Sequence, residues 1–445
     1  MKKVLIIAYA FPPYILVGAL RPYNWYKYFK EFDVNPVVIT RQWSNNSGGN
    51  LDYMAEGESS NIIIEDGKFG IIIKTPYKPN LADRLVLSYG ATKFKFIRKL
   101  LTGIYEFGQF IFPIGTKFQL FVEAQRYLRD NKVDVIIATG EPFILFLYAA
   151  KLSKQFGVPW VADYRDPWSS NDIYANKLLL RKWNSYFEKR IVISATKITT
   201  VSKFVQRKIE NIVQNMSYEI LPNGYDPTFI IETQSIKQDD KVLQIAFAGS
   251  LYKWNPIESF LRTVSIFLTS NIEINIRINF YGSNIDDELR VLISKYPLLD
   301  GHVFLYPKIQ NNILLLRLAE NNVMLLFNYY SYLGTKIFDY LGIRRKILLC
   351  YSNDAESEQL KEKYYGIQAA TPESEQLQAD LIEKTKSGIV AKDPDHLLII
   401  LNDLYKEFAA AGCIECNSIG IENYSRKIQV QNLANIVKNI TETNI

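Results

Sequence analysis

Gly334-Thr335-Lys336-Ile337-Phe338-Asp339-Tyr340-Leu341 is the stretch that decides how this chain reads, because it lies between two apolar runs of strand character, Val323–Phe327 and Ile347–Tyr351. Strand, short helix and strand in that spacing form the unit of a parallel sheet covered by helices. A helix starting at Thr335 leaves its first N–H groups without carbonyl partners and directs the positive end of its dipole into the loop above the sheet, where an anion can sit. Lys336 adds a full charge to that place. Asp339 falls about one turn later on a neighbouring face, where a carboxylate accepts hydrogen bonds from hydroxyls and would repel phosphate. A phosphate acceptor beside a hydroxyl acceptor describes a nucleoside diphosphate ligand. The same segment also reads as an ordinary amphipathic helix with Asp339 merely solvated.

The alternation extends over most of the chain. In the first half, strands are expected at Val4–Ala8, Pro36–Thr40, Val133–Thr139, Pro159–Ala162, Ile198–Val201 and Glu219–Leu221, with a hairpin turning at Asp66-Gly67. The pattern restarts with Leu243–Ala248, Ile274–Tyr281, Val303–Tyr306, Val323–Phe327 and Ile347–Tyr351. Between the halves, Asp226–Lys241 is polar without a strong period and reads as a linker; Ser44–Asn50 reads as a mobile loop. Ile428, Val430, Leu433, Ile436, Val437 and Ile440 form a helical stripe able to return onto the first domain. The expected organisation is a Rossmann-like acceptor domain over 1–225, a Rossmann-like nucleotide-sugar domain over 240–418, and a returning helical segment over 419–445. Two such sheets in tandem, facing each other across a cleft, predict ligand binding at the carboxyl ends of the strands.

Composition bounds the rest. The chain has 445 residues, too many for one core at about 150 residues per domain. Apolar residues make up 48% and charged ones 22%, the composition of a folded globular protein. The formal charge of +6 favours anionic partners such as nucleoside diphosphates or a lipid surface, without requiring nucleic acid. Cys350, Cys413 and Cys416, with histidines only at 302 and 396, make no four-ligand metal site and read as reduced cytosolic thiols. MKKVLIIAYAF imitates a secretion signal, but its apolar run meets Pro12-Pro13 and Arg21, so a buried first strand is expected. No stretch is long and uncharged enough to span a bilayer. The basic and apolar mixture from Phe94 to Phe112, with Lys95, Arg98 and Lys99 among Phe96, Leu100, Leu101, Ile104, Tyr105 and Phe110, suits either attachment to an anionic bilayer or a core-packed helix.

Candidate site residues cluster at the expected strand ends. Gly18 and Arg21 open the first helix, where a glycine admits a ligand to the backbone and an arginine meets phosphate. The run is not G-x-G-x-x-G, which argues against a dinucleotide. Asp163-Tyr164-Arg165-Asp166-Pro167-Trp168 combines carboxylates for sugar hydroxyls with an indole for a pyranose face, or else holds a structural ion pair. Glu141, after Thr139-Gly140, is a further acceptor-side carboxylate. In the second half, Gly249 and Ser250 precede Lys253, a cation for a departing diphosphate, and Tyr281-Gly282 closes the next strand beside a base or ribose.

In chain order the blocks FPP…GALR, VDVIIATGEP, VPWVADYRDPW, ITTVSKFV, ILPNGYD, IAFAGSLYK, NFYG and GTKIFDYLGIRRKIL resemble the bacterial glycosyltransferase family 4, from the first strand to about Tyr351. The resemblance implies the α/β GT-B fold of two Rossmann-like domains and retaining transfer from a nucleotide sugar. The DYRDPW block is similar to the branch that builds capsule, O-antigen and related surface glycans. Carried over, Thr335 and Lys336 meet the diphosphate and Asp339 the ribose, with Gly334 among the donor-binding residues. The sequence departs from the family at three places: Ser331 stands where the first glutamate is usual, Asp339 is a shortened second glutamate, and the usual Arg and Lys pair is reduced to Lys253. These residues together lead to the expectation of a metal-independent, cofactor-free hexosyltransferase, cytoplasmic or at the inner face of the membrane. Lys253, Lys336 and Asp163 are its expected catalytic groups, with Glu141, Arg165, Asp166 and Trp168 at a glycan or lipid-linked acceptor. A sugar-nucleotide epimerase or hydrolase on the same fold, and a non-catalytic nucleotide-sugar-binding protein, are the alternatives.

Overall fold

The computed structural model describes residues 1–14, 17–43, 53–171, 177–270, 274–330, 332–351, 354–365 and 376–442. Ser44–Asn50 and Ser331 lie outside them. The chain forms two compact units, one of residues 1–222 with 427–445, the other of residues 223–426.

The first unit is built on β1 (Lys2–Ile7), β2 (Val34–Arg41), β3 (Ile63–Gly67), β4 (Gly70–Thr75), β5 (Val135–Gly140), β6 (Trp160–Tyr164), β7 (Lys197–Thr200) and β8 (Tyr218–Ile220). They lie in the order β3-β4-β2-β1-β5-β6-β7-β8, parallel throughout except that β3 runs antiparallel to β4. The hairpin pairs Asp66 with Ile71 and Gly67 with Gly70, so its turn is Lys68-Phe69 and not Asp66-Gly67. Val4 and Ile6 of β1, and Ala8 just after it, face a core that also holds Trp25 and Phe29, together with Val430, Leu433, Ala434, Val437 and Ile440. The last five lie on the helix Arg426–Glu442, whose apolar stripe covers this sheet.

The second unit carries β9 (Leu243–Ala248), β10 (Ile276–Tyr281), β11 (Val303–Tyr306), β12 (Val323–Phe327), β13 (Lys346–Cys350) and β14 (Gly388–Ala391). Their order is β11-β10-β9-β12-β13-β14, all parallel. The strand period of two divides each central strand between two cores. Leu243, Ile245 and Phe247 of β9, with Val323, Leu325 and Phe327 of β12, face one core; Ala246, Ala248, Met324 and Leu326 face the other. The helix Lys336–Ile343 lies on the second face, where the short side chains of Ala246 and Ala248 leave room for it. The expected linker is corrected here: Pro227–Thr233 is a helix inside this unit, capped by the Asp226 carboxylate, with Ile230 packed in that core beside Leu341 and Ile343. A single buried isoleucine on a seven-residue helix is too little periodicity to read from sequence.

Leu433 is fully buried against β1. Leu433→Ala is expected to destabilise the protein by about 2–5 kcal/mol, seen as a lower denaturant midpoint by circular dichroism.

Candidate functional site

The loop after β9 and the start of the helix Lys336–Ile343 make one pocket in the second unit. Lys336 and Tyr340, one turn apart on the same helix face, both reach that loop. The Tyr340 hydroxyl accepts the Ala248 N–H at 2.9 Å, and Lys336 Nζ donates to the Ser250 carbonyl at 3.0 Å. Lys336 Nζ also stands 4.3 Å from the centre of the Phe247 ring. Between those contacts the lysine passes over Gly249, where a Cβ would come within 2.7 Å of Lys336 Cε. Gly249 also has φ +92°, a region that side-chain-bearing residues rarely adopt. Its role is therefore to let the lysine cross.

The pocket encloses about 230 Å³ and is lined by Ser250, Tyr252, Asn255, Tyr329, Thr335 and Lys336, with Phe247 and Phe327 among its apolar walls. No side chain caps the helix at Thr335, so its opening N–H groups stay available to a ligand. Burial drives the Lys336 ammonium down to about pKa 7. Among the described residues it makes no ion pair. Asp339, half-buried on a different face of the helix, is pushed up to about pKa 6 by burial; the Arg426 charge opposes that rise and repulsion from Asp226 adds to it. Among the described residues no hydrogen bond occupies its oxygens, and it does not line the pocket. Gly334, with φ +67°, lines the pocket. Lys253 is exposed on the β9 loop and outside the lining. Tyr281 is buried and stacked on Tyr306 at 4.7 Å, and Gly282 follows it with φ +63°; neither lines the pocket. Sequence reasoning missed Asn255 and Gln378. Asn255 accepts the Tyr252 N–H at 2.8 Å, and Gln378 accepts the Tyr329 N–H at 2.7 Å while donating to the Leu333 carbonyl, which fixes the loop ahead of Thr335. Asn255 follows the quoted glycine loop within six positions and was within reach of motif reading; Gln378 sits in no motif.

In the first unit the structure corrects four assignments, those of Arg21, Asp163, Trp168 and Gly18. Asp163 is fully buried and receives Arg21 in a forked contact of 2.7–3.1 Å, plus the hydroxyls of Thr139 at 2.9 Å and Thr199 at 2.8 Å. Thr139, Asp163 and Thr199 are cross-strand neighbours on β5, β6 and β7. Arg21 also donates to the Leu221 carbonyl at 2.9 Å. Arg21 and Asp163 are thus a structural ion pair, committed to each other and unavailable to phosphate or acceptor. Trp168 is buried, stacked on Phe143 at 5.2 Å and on Phe110 at 5.3 Å, so it presents no face to a sugar. Tyr164 and Ser169 instead bind Glu188, a buried carboxylate that burial raises to about pKa 6.

The remaining carboxylates form a different group. Arg165 Nε donates to the Gly140 carbonyl at 2.5 Å and Nη2 to the Glu141 carbonyl at 3.1 Å. Its guanidinium packs on Gly18, where a Cβ would fall 1.9 Å from Nη1. Gly18 therefore makes room for Arg165 rather than for a ligand. Glu141 and Asp166 are exposed around this arginine, and burial among neighbouring protein raises both carboxyl groups, Glu141 further by repulsion from Asp166. Such carboxylates accept hydroxyls.

Residues 85–229 carry a Glycosyltransferase Family 4 domain match. No curated protein sequence matches the chain. The structure is similar to sucrose-phosphate synthase from Thermosynechococcus elongatus, 12% identical with TM-score 0.56 over 100% of this chain and 97% of that one. It is similar to an alpha,alpha-trehalose-phosphate synthase (UDP-forming) from Burkholderia xenovorans in complex with glucose-6-phosphate, 11% identical with TM-score 0.57 over 98% and 100%. A third likeness is to "Trehalose-6-phosphate from E. coli bound with UDP-2-fluoro glucose", 9% identical with TM-score 0.53 over 99% and 98%. The fold is thereby GT-B, two Rossmann-like domains built on parallel sheets.

Two outcomes follow from these contacts. With a free-protein Lys336 pKa of about 7 against 10.5 ordinarily, anion affinity is constant below pH 7 and falls above it as the proton is lost, by calorimetry with UDP across pH 6–9. Stability of the unliganded protein moves the opposite way, rising with pH above 7 as the buried charge is relieved, and Lys336→Met removes both trends. Asp163→Asn, which leaves Arg21 without its counter-charge, lowers stability by about 3–5 kcal/mol in urea titration while leaving UDP affinity unchanged in the fraction that folds.

Proposed function

We propose that the chain is a retaining glycosyltransferase of hexosyltransferase type that moves a sugar from a nucleoside diphosphate to a glycan or lipid-linked acceptor in the assembly of a bacterial surface polysaccharide. The observation that carries the reading is a lysine with no carboxylate partner among the described residues, held in a pocket beside an uncapped helix start. A half-buried cation lacking a counter-charge calls for an anion, and a diphosphate also satisfies the free N–H groups. The family 4 match and the UDP named in two similar structures favour a nucleotide sugar as that anion. The DYRDPW resemblance favours a surface-glycan acceptor.

In the proposed reaction the bond from the anomeric carbon to the phosphate oxygen breaks and its electron pair leaves with the diphosphate. Lys336 and the N–H groups after Thr335 stabilise that charge where it develops. Asp339 takes the ribose hydroxyls. The acceptor oxygen bonds to the anomeric carbon on the face the diphosphate leaves, and its proton passes to the departing phosphate oxygen, which preserves configuration. Glu141 and Asp166, oriented around Arg165, hold acceptor hydroxyls. No step here calls on a metal or organic cofactor. Lys253, exposed beside the pocket, supplies a screened charge and is assigned the smaller share.

The test is product formation from a panel of UDP-sugars with glycan and lipid-linked acceptors, read by mass spectrometry. Transfer with retained configuration is expected, and release of free sugar at the same rate with and without acceptor would refute it in favour of a hydrolase. Lys336→Ala is expected to lower kcat/KM by about 10- to 100-fold, ~1.4–2.7 kcal/mol, and Lys253→Ala by less. Glu141→Gln is expected to raise the acceptor KM and leave the donor KM unchanged.

A further inference from the structure

The helix Lys95–Gly108 is turned inside out. It buries no residue, and most of its apolar arc points away from the protein: Phe96 is 81% exposed, Leu100 58% and Ile104 52%, with Ile97 exposed beside them and Phe107, at the edge of the arc, partly exposed and set edge-on to Trp183 at 5.5 Å. At 100° per residue these five span one continuous face, while Lys95, Lys99, Thr102 and Glu106 share the opposite side. A helix of a monomeric globular protein places that stripe on the core. The preceding helix, Leu81–Tyr89, adds exposed Leu81, Leu87 and Tyr89. What fastens the region is Phe110, stacked on Phe187 at 5.1 Å and on Trp168, which places it in the core and outside the amphipathic surface expected from sequence.

We infer that this helix pair is a docking surface for an anionic lipid bilayer. Charge selects the partner. Lys93, Lys95 and Lys99 are exposed and meet no carboxylate among the described residues, and no acidic residue stands in the first turn of the helix. Cations at that end oppose the helix dipole unless an outside anion balances them, which the phosphates of a lipid headgroup layer do. A second copy of the chain would offer the same lysines and, on this helix, only Glu106 to match them. Shape points the same way. Between the helices and Met54 lies an irregular groove of about 600 Å³, to which Val86, Leu87 and Arg98 contribute. Fluid acyl chains fill such a groove, whereas a folded protein face would leave voids. Among the described residues no helix is long and apolar enough to cross a membrane, so the contact is peripheral, with the apolar arc at the boundary of headgroups and chains.

Co-sedimentation of the full chain with vesicles of phosphatidylcholine alone and with added phosphatidylglycerol tests it. Binding to the anionic vesicles is expected, with roughly 100-fold weaker partitioning for Lys93→Gln/Lys95→Gln/Lys99→Gln and loss of binding for Phe96→Glu/Leu100→Glu. All substituted side chains are exposed, and unchanged thermal melts of the variants confirm that folding is intact. Absence of binding to either vesicle, or binding that both variants retain, overturns the proposal. So does a dimeric mass by light scattering that Phe96→Glu/Leu100→Glu abolishes, which would make the face a contact between copies.

Discussion

The second unit depends on one crossing: the Lys336 side chain passing over the bare backbone of Gly249 to reach the Ser250 carbonyl. An ammonium has three donors, and here a single carbonyl and a ring face share it. The two alanines of β9 let the helix approach, Tyr340 pins Ala248 one turn away, and the glycine removes the one Cβ that would block the lysine. Each feature brings positive charge to the carboxyl end of the sheet without supplying a negative one. That imbalance separates a binding pocket from a satisfied structural lysine.

The first unit offers the contrast. Arg21 and Asp163 are both buried, yet they neutralise each other and are completed by two threonine hydroxyls. A few residues away, Glu141 and Asp166 are the reverse case, carboxylates gathered at strand ends around an arginine whose donors are spent partly on backbone carbonyls. Satisfaction, and not the presence of charge, distinguishes scaffold from candidate site in both units.

The sequence made the architecture legible wherever apolar runs alternated with helical stretches, and the returning helix was visible in the spacing of Val430, Leu433 and Val437. Two elements escaped. Gly388–Ala391 is a four-residue edge strand with too few residues for a period, and Pro227–Thr233 hides its helix in a polar stretch. At the site, Lys336 and Thr335 were readable because strand and helix fix where the helix begins. The roles of Arg21, Asp163 and Trp168 were not, because partners 142 residues apart in the chain, or rings stacked from loops far apart in sequence, leave no trace in local spacing. Arg21 and Asp163 looked like ligand groups individually; only register, which sets Thr139 and Thr199 on either side of Asp163, reveals that the carboxylate is already occupied.

The most direct measurement of the central claim is a crystal structure with a nucleoside diphosphate bound. The account predicts a terminal phosphate oxygen about 2.7–3.1 Å from Lys336 Nζ and from the first N–H groups of its helix, with a ribose hydroxyl on Asp339. A nucleotide bound elsewhere, with Lys336 still donating only to the Ser250 carbonyl, would contradict it.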